Sequence, residues 1–293
     1  MSTTFMECVQ SGQRLIADGA TGTNLQKRGL PAGYSGEYWV LENPQAIVQL
    51  HRDFIAAGAQ VILTATFGAS PIHLEGTMLA GQAIEINRRA VELARTAAKH
   101  SEVFVAGSIG PSGKLLKPFG PLAENEAVLS FAEQARALTE AGADLLVIET
   151  QFDLQEASAA ILGVRSTSQI PLVCSFSFDR GTRTIMGVKP VQFANEMNGQ
   201  HVDLIGINCG RSLDENLAVL KEIRQATTLP IWFKPNAGLP ETDTEGQAIY
   251  RITPTEMAGR VPDWIAAGAQ VIGGCCGTSP EHLREIAQTV RKT

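Results

Sequence analysis

The sequence predicts a closed (β/α)₈ barrel in one domain spanning 1–293. Three observations predict it: eight short apolar runs, a helix-length amphipathic stretch after each, and a glycine joint that recurs between helix and strand. The runs are 14–18 (RLIAD), 61–66 (VILTAT), 103–107 (VFVAG), 145–150 (LLVIET), 171–178 (PLVCSFSF), 204–208 (LIGIN), 230–234 (PIWFK) and 270–274 (QVIGG). They do not alternate apolar with polar, so both faces are buried, the mark of parallel strands covered by helices. Expected helices lie near 45–57, 80–99, 124–141, 154–165, 190–199, 213–226, 254–267 and 280–292. Eight such units close a barrel.

The joint recurs as AAGAQVILT (56–64), EAGADLLVI (140–148) and AAGAQVIGG (266–274). In each, a helix ends at alanine, glycine caps it in the left-handed conformation and a buried strand begins. The longest irregular stretches, 19–44, 67–79, 108–123 and 235–252, all follow expected strands. On a barrel these loops share the face where sites are built.

The chain has 293 residues, is 44% hydrophobic and carries net charge −6. No basic block suits nucleic acid. The apolar runs are strand-length, short of the ~20 residues that a membrane-spanning helix needs. The start, MSTTFMECVQSGQRL, lacks an apolar signal core, so a cytoplasmic protein is expected. Five cysteines fit reduced thiols and metal binding better than a disulfide framework.

Cys275 and Cys276 are adjacent in VIGGCCGTSPEH, and Cys209 stands in LIGINCGRS. All three fall at the ends of the sixth and eighth expected strands, where three thiols can converge on one ion. Thiolates are preferred soft ligands of Zn²⁺, and three protein ligands leave a fourth position open. Adjacent strand residues point to opposite faces, so Gly273, Gly274 and Gly277 are expected to turn the backbone. Cys8 and Cys174 read as small buried hydrophobes.

Two carboxylates reach the same rim. Asp18 ends the first strand in ADGATGTNL, and Glu149 ends the fourth in VIETQFD. Together they suit an ammonium group, and the backbone N–H groups from Gly19 to Thr23 suit a carboxylate, so an α-amino acid satisfies both. Taken singly, Asp18 serves equally as a turn cap and Glu149 as an arginine partner. Asn208 and Asn236 also reach the rim; Asn208 reads equally as a turn former. His73, in PIHLEG, reads as a loop residue, because Pro71 stands where a corrinoid-binding motif needs aspartate. No phosphate-binding glycine motif suggests a nucleotide.

Taken together, DGATGT, NCG and the late GGCCG resemble the homocysteine S-methyltransferase family, in order and over nearly the whole chain. The resemblance implies a (β/α)₈ barrel and a zinc held by Cys209, Cys275 and Cys276. It implies that Asp18 and Glu149 bind the homocysteine amino group, that backbone around Gly19 and Thr21 binds its carboxylate, and that Thr66 lines the pocket; Asn208, at the rim, is expected to bind substrate with them. Features such as IETQFDLQEA, RTIMGVKP and PNAGLPE look closer to the cobalamin-dependent methionine synthase branch. That branch implies Asn236 as resting fourth zinc ligand.

The expected activity is methyl transfer to homocysteine, giving methionine. The expected donor is a methylcorrinoid, either methylcobalamin or a separate methylated corrinoid protein. Betaine or S-methylmethionine is the alternative donor, and a non-catalytic zinc-binding acceptor domain of a larger complex is the alternative class. A betaine site is commonly lined by aromatics. The rim aromatics are few: Phe67, Phe119, Phe152 and Tyr250, with Tyr38 and Trp39 in the first loop. The loops 108–123 and 235–252 are expected to frame an open mouth.

Overall fold

A computed structural model describes residues 3–242 and 248–293. Eight parallel strands form one sheet: Leu15–Ile16, Val61–Leu63, Phe104–Ile109, Leu145–Gln151, Leu172–Phe176, Leu204–Cys209, Ile231–Pro235 and Ala269–Ile272. The first pairs with the eighth, and a bridge from Ala17 to Val61 joins it to the second, closing the barrel. Helices alternate with the strands, as the repeated joint predicts. Gly58, Gly142 and Gly268 of the three joints all adopt left-handed backbone, with φ 112°, 97° and 98°.

Strand parity sorts the side chains into two cores. Leu145 and Val147 face the barrel interior with Val173, Leu204, Trp232 and Val271; Leu146, Ile148, Ile205 and Phe233 face the helices. The helix Phe5–Gln10 was not expected. A capping box between Thr4 and Glu7 starts it, and its Phe5, Cys8 and Val9 join the interior cluster. Cys8 and Cys174 are both buried among apolar neighbours, with the hydrophobe's role expected of them.

Other differences are local. The stretch 254–267 is two helices, Pro254–Gly259 and Val261–Ala266, broken at Arg260. Pro262 has no N–H to continue the ladder. Short helices Gly22–Lys27, Gly36–Glu42 and Pro71–Leu74 punctuate the first two long loops. In the loop 235–252, Glu241–Thr242 pairs antiparallel with Ala248–Ile249; residues 243–247, Gly246 among them, lie outside the described residues. Among the described residues no helix is long and apolar enough to cross a membrane.

Candidate active site

The same parity that fills the interior with apolar side chains ends in a polar layer at the strands' C-terminal ends. Two residues beyond the inward-facing Ala106, Val147, Val173 and Trp232 come Ser108, Glu149, Ser175 and Lys234. Asn208 holds the matching place on the sixth strand. All five are buried.

Above this layer the three cysteines meet. Their sulfurs all lie within 4.8 Å of one another, and Cys209 Sγ is 3.3 Å from Cys275 Sγ. Cys209 has φ 59°, a conformation rare for a side chain with a Cβ, which turns it out of strand register. Asn216 holds that turn by donating to the Cys209 carbonyl at 2.8 Å. Cys275 and Cys276 stand after the eighth strand has ended, so strand alternation no longer separates them. Of the flanking glycines only Gly277 has positive φ, at 82°, and a Cβ there would strike the Tyr250 ring. Gly273 and Gly274 serve close approach instead: a Cβ would sit 2.7 Å from the Ala17 carbonyl oxygen or 2.4 Å from Thr278.

Three thiols at this spacing cannot all ionise unaided. The neighbouring thiols of Cys209 and Cys275 lower the pKa of Cys276, while the neighbouring Cys275 and Cys276 and burial push Cys209 well up. A divalent cation removes that conflict, and soft sulfur donors suit zinc. Asn208 donates Nδ2 to Cys209 Sγ at 3.4 Å and toward Cys275 Sγ at 3.9 Å. Its Oδ1 accepts from Thr150 N–H at 2.9 Å and Ser175 Oγ at 2.7 Å. Asn236 donates to the carbonyls of Cys209 (N–H, 3.1 Å) and Gly210 (Nδ2, 2.9 Å), while its buried Oδ1 has no hydrogen-bond partner among the described residues. An orphaned carbonyl oxygen at the edge of a thiol cluster fits a place beside a metal.

A cavity of about 430 Å³ opens over the cluster. Gly19, Thr21, Tyr34, Phe67, Glu149 and Lys234 line it together with all three cysteines. Glu149 Oε1 accepts from Ser108 Oγ at 2.5 Å, and burial raises its pKa to about 7. Asp18, Thr66 and Asn208, expected at the substrate, stand behind this wall. Asp18 Oδ2 accepts the Leu63 N–H at 2.8 Å, and Oδ1 pairs with Lys234 Nζ at 2.5 Å. Thr66 Oγ1 lies 2.7 Å from both the Ser108 carbonyl and Thr64 Oγ1. Asn208 is committed to Thr150, Ser175 and the sulfurs. The reason is shared: each side chain meets a neighbouring strand before it reaches the opening. Trp39 is likewise a core residue, and His73, expected in a loop, lies in the short helix Pro71–Leu74 and bonds the Pro111 carbonyl at 3.0 Å.

Lys234 is the site residue that sequence reasoning missed. The signal was present: a lysine inside an apolar strand, two residues after an inward tryptophan. Burial works against its charge, but Asp18 and Glu149 outweigh that and hold the ammonium protonated above its ordinary range. Tyr250 was placed only at the rim; it reaches further, its ring packing over Gly277 beside Cys276.

Comparison with known proteins shows the family. The family described as homocysteine S-methyltransferase matches residues 15–290. Methionine synthase of Mycobacterium tuberculosis (strain ATCC 25618 / H37Rv) is 30% identical over 302 residues, covering 96% of this chain; the chain spans 25% of that relative's length. The homocysteine methyltransferase MmuM from Escherichia coli, in its metallated form, has a TM-score of 0.82 at 27% identity, covering 97% of this chain and 99% of that one. Its apo form gives 0.75 at 27% identity, covering 96% and 97%. A type I 3-dehydroquinate dehydratase from Clostridium difficile, at TM-score 0.55 and 11% identity over 96% of this chain and 94% of that one, shares the fold alone. With a family match that runs from the first strand into the last helix, this chain belongs to the homocysteine S-methyltransferase family.

Proposed function

We propose that the protein is a zinc-dependent methyltransferase that converts homocysteine to methionine. The observation that carries this reading is three cysteine sulfurs within 4.8 Å, opening on a cavity whose wall also bears Glu149 and Lys234. Cys209, Cys275 and Cys276 would hold the zinc, with Asn236 as the resting fourth ligand through its unpartnered Oδ1. Bound there, zinc supplies the acidity that keeps a thiol (pKa about 8.5 when free) ionised at neutral pH.

The chain's own residues do the rest. Glu149 Oε2 makes no hydrogen bond among the described residues and takes the acceptor's ammonium. Gly19 and Thr21 line the same cavity, with backbone N–H groups for its carboxylate. Asp18 backs this site through Lys234, Thr66 supports Ser108, and Asn208 orients the sulfurs, as outer partners of metal ligands do. The acceptor sulfur attacks the donor's methyl carbon; the new S–CH₃ bond forms as the bond to the leaving group breaks. The protein's contribution is alignment.

A methylcorrinoid is the donor this mouth supports best, as methylcobalamin or on a separate corrinoid protein. The loops around it expose Phe67, Leu115, Phe119, Ile185 and Leu239, apolar surface suited to a large partner. Among the described residues only two aromatics, Tyr34 and Phe67, line the cavity, fewer than a cage for a quaternary ammonium uses. An S-methylmethionine or betaine donor is the second reading. A small donor of this kind would fit the cavity of about 430 Å³ over the cysteines.

A donor panel tests this. The zinc-loaded protein is incubated with homocysteine and equal concentrations of methylcobalamin, betaine or S-methylmethionine, and methionine is measured. Methylcobalamin is expected to give the fastest formation. Robust turnover with betaine or S-methylmethionine and none with methylcobalamin would replace the donor and leave the acceptor chemistry standing. No methionine from any donor would favour an acceptor domain that works only inside a larger complex.

A further inference from the structure

We propose that Lys234 is a specificity-determining residue of the acceptor pocket: its ammonium, anchored on Asp18, binds the carboxylate of the thiol acceptor while Glu149 takes the acceptor's ammonium. The proposal deepens the homocysteine reading and rests on it.

Placement comes first. Lys234 shares the inward register of Trp232 and lines the cavity together with Glu149 and the three cysteines. It is only 3% exposed, so its ammonium reaches the cavity and little else. A buried ammonium is costly unless its hydrogen-bonding capacity is met. Lys234 Nζ has three N–H donors. One goes to Asp18 Oδ1, and among the described residues no other hydrogen bond is made. The Trp232 ring lies 5.8 Å away and offers only its π-face. A lysine whose sole duty was to tie two strands together would be expected to have its remaining donors met by protein.

The charges select the ligand. Asp18 and Lys234 cancel each other. Asp18 is buried behind the cavity wall, with its other oxygen on the Leu63 N–H, so an incoming ammonium does not meet it. What the pair offers the cavity is cationic. Beside it, Glu149 offers an anionic oxygen, and Ser108 occupies only its other one. An α-amino acid presents the complementary pair of charges on one carbon.

Backbone alone is a weaker carboxylate anchor. The Ala20 N–H is already held by Thr278, through the carbonyl at 3.2 Å and Oγ1 at 3.1 Å. The helix that follows, Gly22–Lys27, has only six residues to lend a dipole. A backbone N–H brings only a dipole to a carboxylate, whereas an ammonium brings a full opposite charge in a site shielded from water. Lys234 therefore adds the charged contact that Gly19 and Thr21 lack.

The test is calorimetric binding of homocysteine and of homocysteinamide, whose carboxylate is a neutral amide, to zinc-loaded protein without donor. The parent is expected to prefer homocysteine by on the order of 10- to 100-fold, the range for a hydrogen bond to a charged group. Lys234→Met should bring the ratio close to parity by weakening homocysteine alone. Because this variant leaves Asp18 buried and unpaired, the Asp18→Asn/Lys234→Met double variant is measured beside it and should show the same loss of preference. If the parent binds homocysteine and both variants keep its preference, Lys234 is structural and the proposal is overturned. A parent that binds neither thiol would instead sink the homocysteine reading, and this proposal with it.

Discussion

Replacing Cys209, Cys275 or Cys276 with alanine should strip the metal from the protein and abolish methyl transfer. Losing even an outer partner of a metal ligand typically costs ~10- to 100-fold in affinity or activity, and loss of a thiolate ligand should exceed that. Metal analysis should fall from one zinc per chain to a small residue for each variant. The fold should survive. The barrel interior is apolar from Leu15 to Val271, with the Phe5 helix joining it, and the outer layer around Phe131, Phe193 and Trp264 is independent of the thiol cluster. Circular dichroism and urea unfolding of the metal-free protein should therefore report a cooperative domain, unlike a zinc finger, which is unfolded without metal. Full zinc occupancy in Cys209→Ala would contradict the assignment.

Glu149→Gln should separate acceptor binding from metal binding. Glutamine keeps the shape and still accepts from Ser108, but it loses the charge opposite the acceptor's ammonium. Truncating one member of a buried, hydrogen-bonded charge pair costs about 2–5 kcal/mol, so the KM for homocysteine should rise by at least ~30-fold. Zinc content should not change, because Glu149 is no ligand. Unaltered homocysteine affinity in this variant would move the ammonium site elsewhere in the cavity.

Much of the architecture was legible because it follows from periodicity. Non-alternating apolar runs and the Ala-Gly joint are local signals, and the left-handed Gly58, Gly142 and Gly268 show their physical cause. The three cysteines were legible for a similar reason: Cys209 ends a strand, Cys275 and Cys276 follow one closely, and strands of a parallel barrel end on one face. Asp18, Thr66 and Asn208 were harder. Sequence places them at the rim, yet whether a side chain faces the cavity or a neighbouring strand depends on what the next strand offers. Leu63 and Lys234 capture Asp18, the Ser108 carbonyl captures Thr66, and Thr150, in left-handed backbone, captures Asn208. Lys234 was overlooked because a lysine near a strand end reads as a solvated side chain. Only the parity set by Trp232 shows that it turns inward. The helix Phe5–Gln10 escaped because its apolar pattern spans less than two turns, too short for periodicity to register.

Zinc titration of the metal-free protein, followed by methionine formation from homocysteine and an excess of methyl donor, tests the central claim most directly. Activity should be absent without metal, rise in proportion to added zinc and level off at one equivalent per chain, with Cys276→Ala flat throughout. Methionine formation by the metal-free protein at the zinc-saturated rate, or an unchanged titration in Cys276→Ala, would contradict the account.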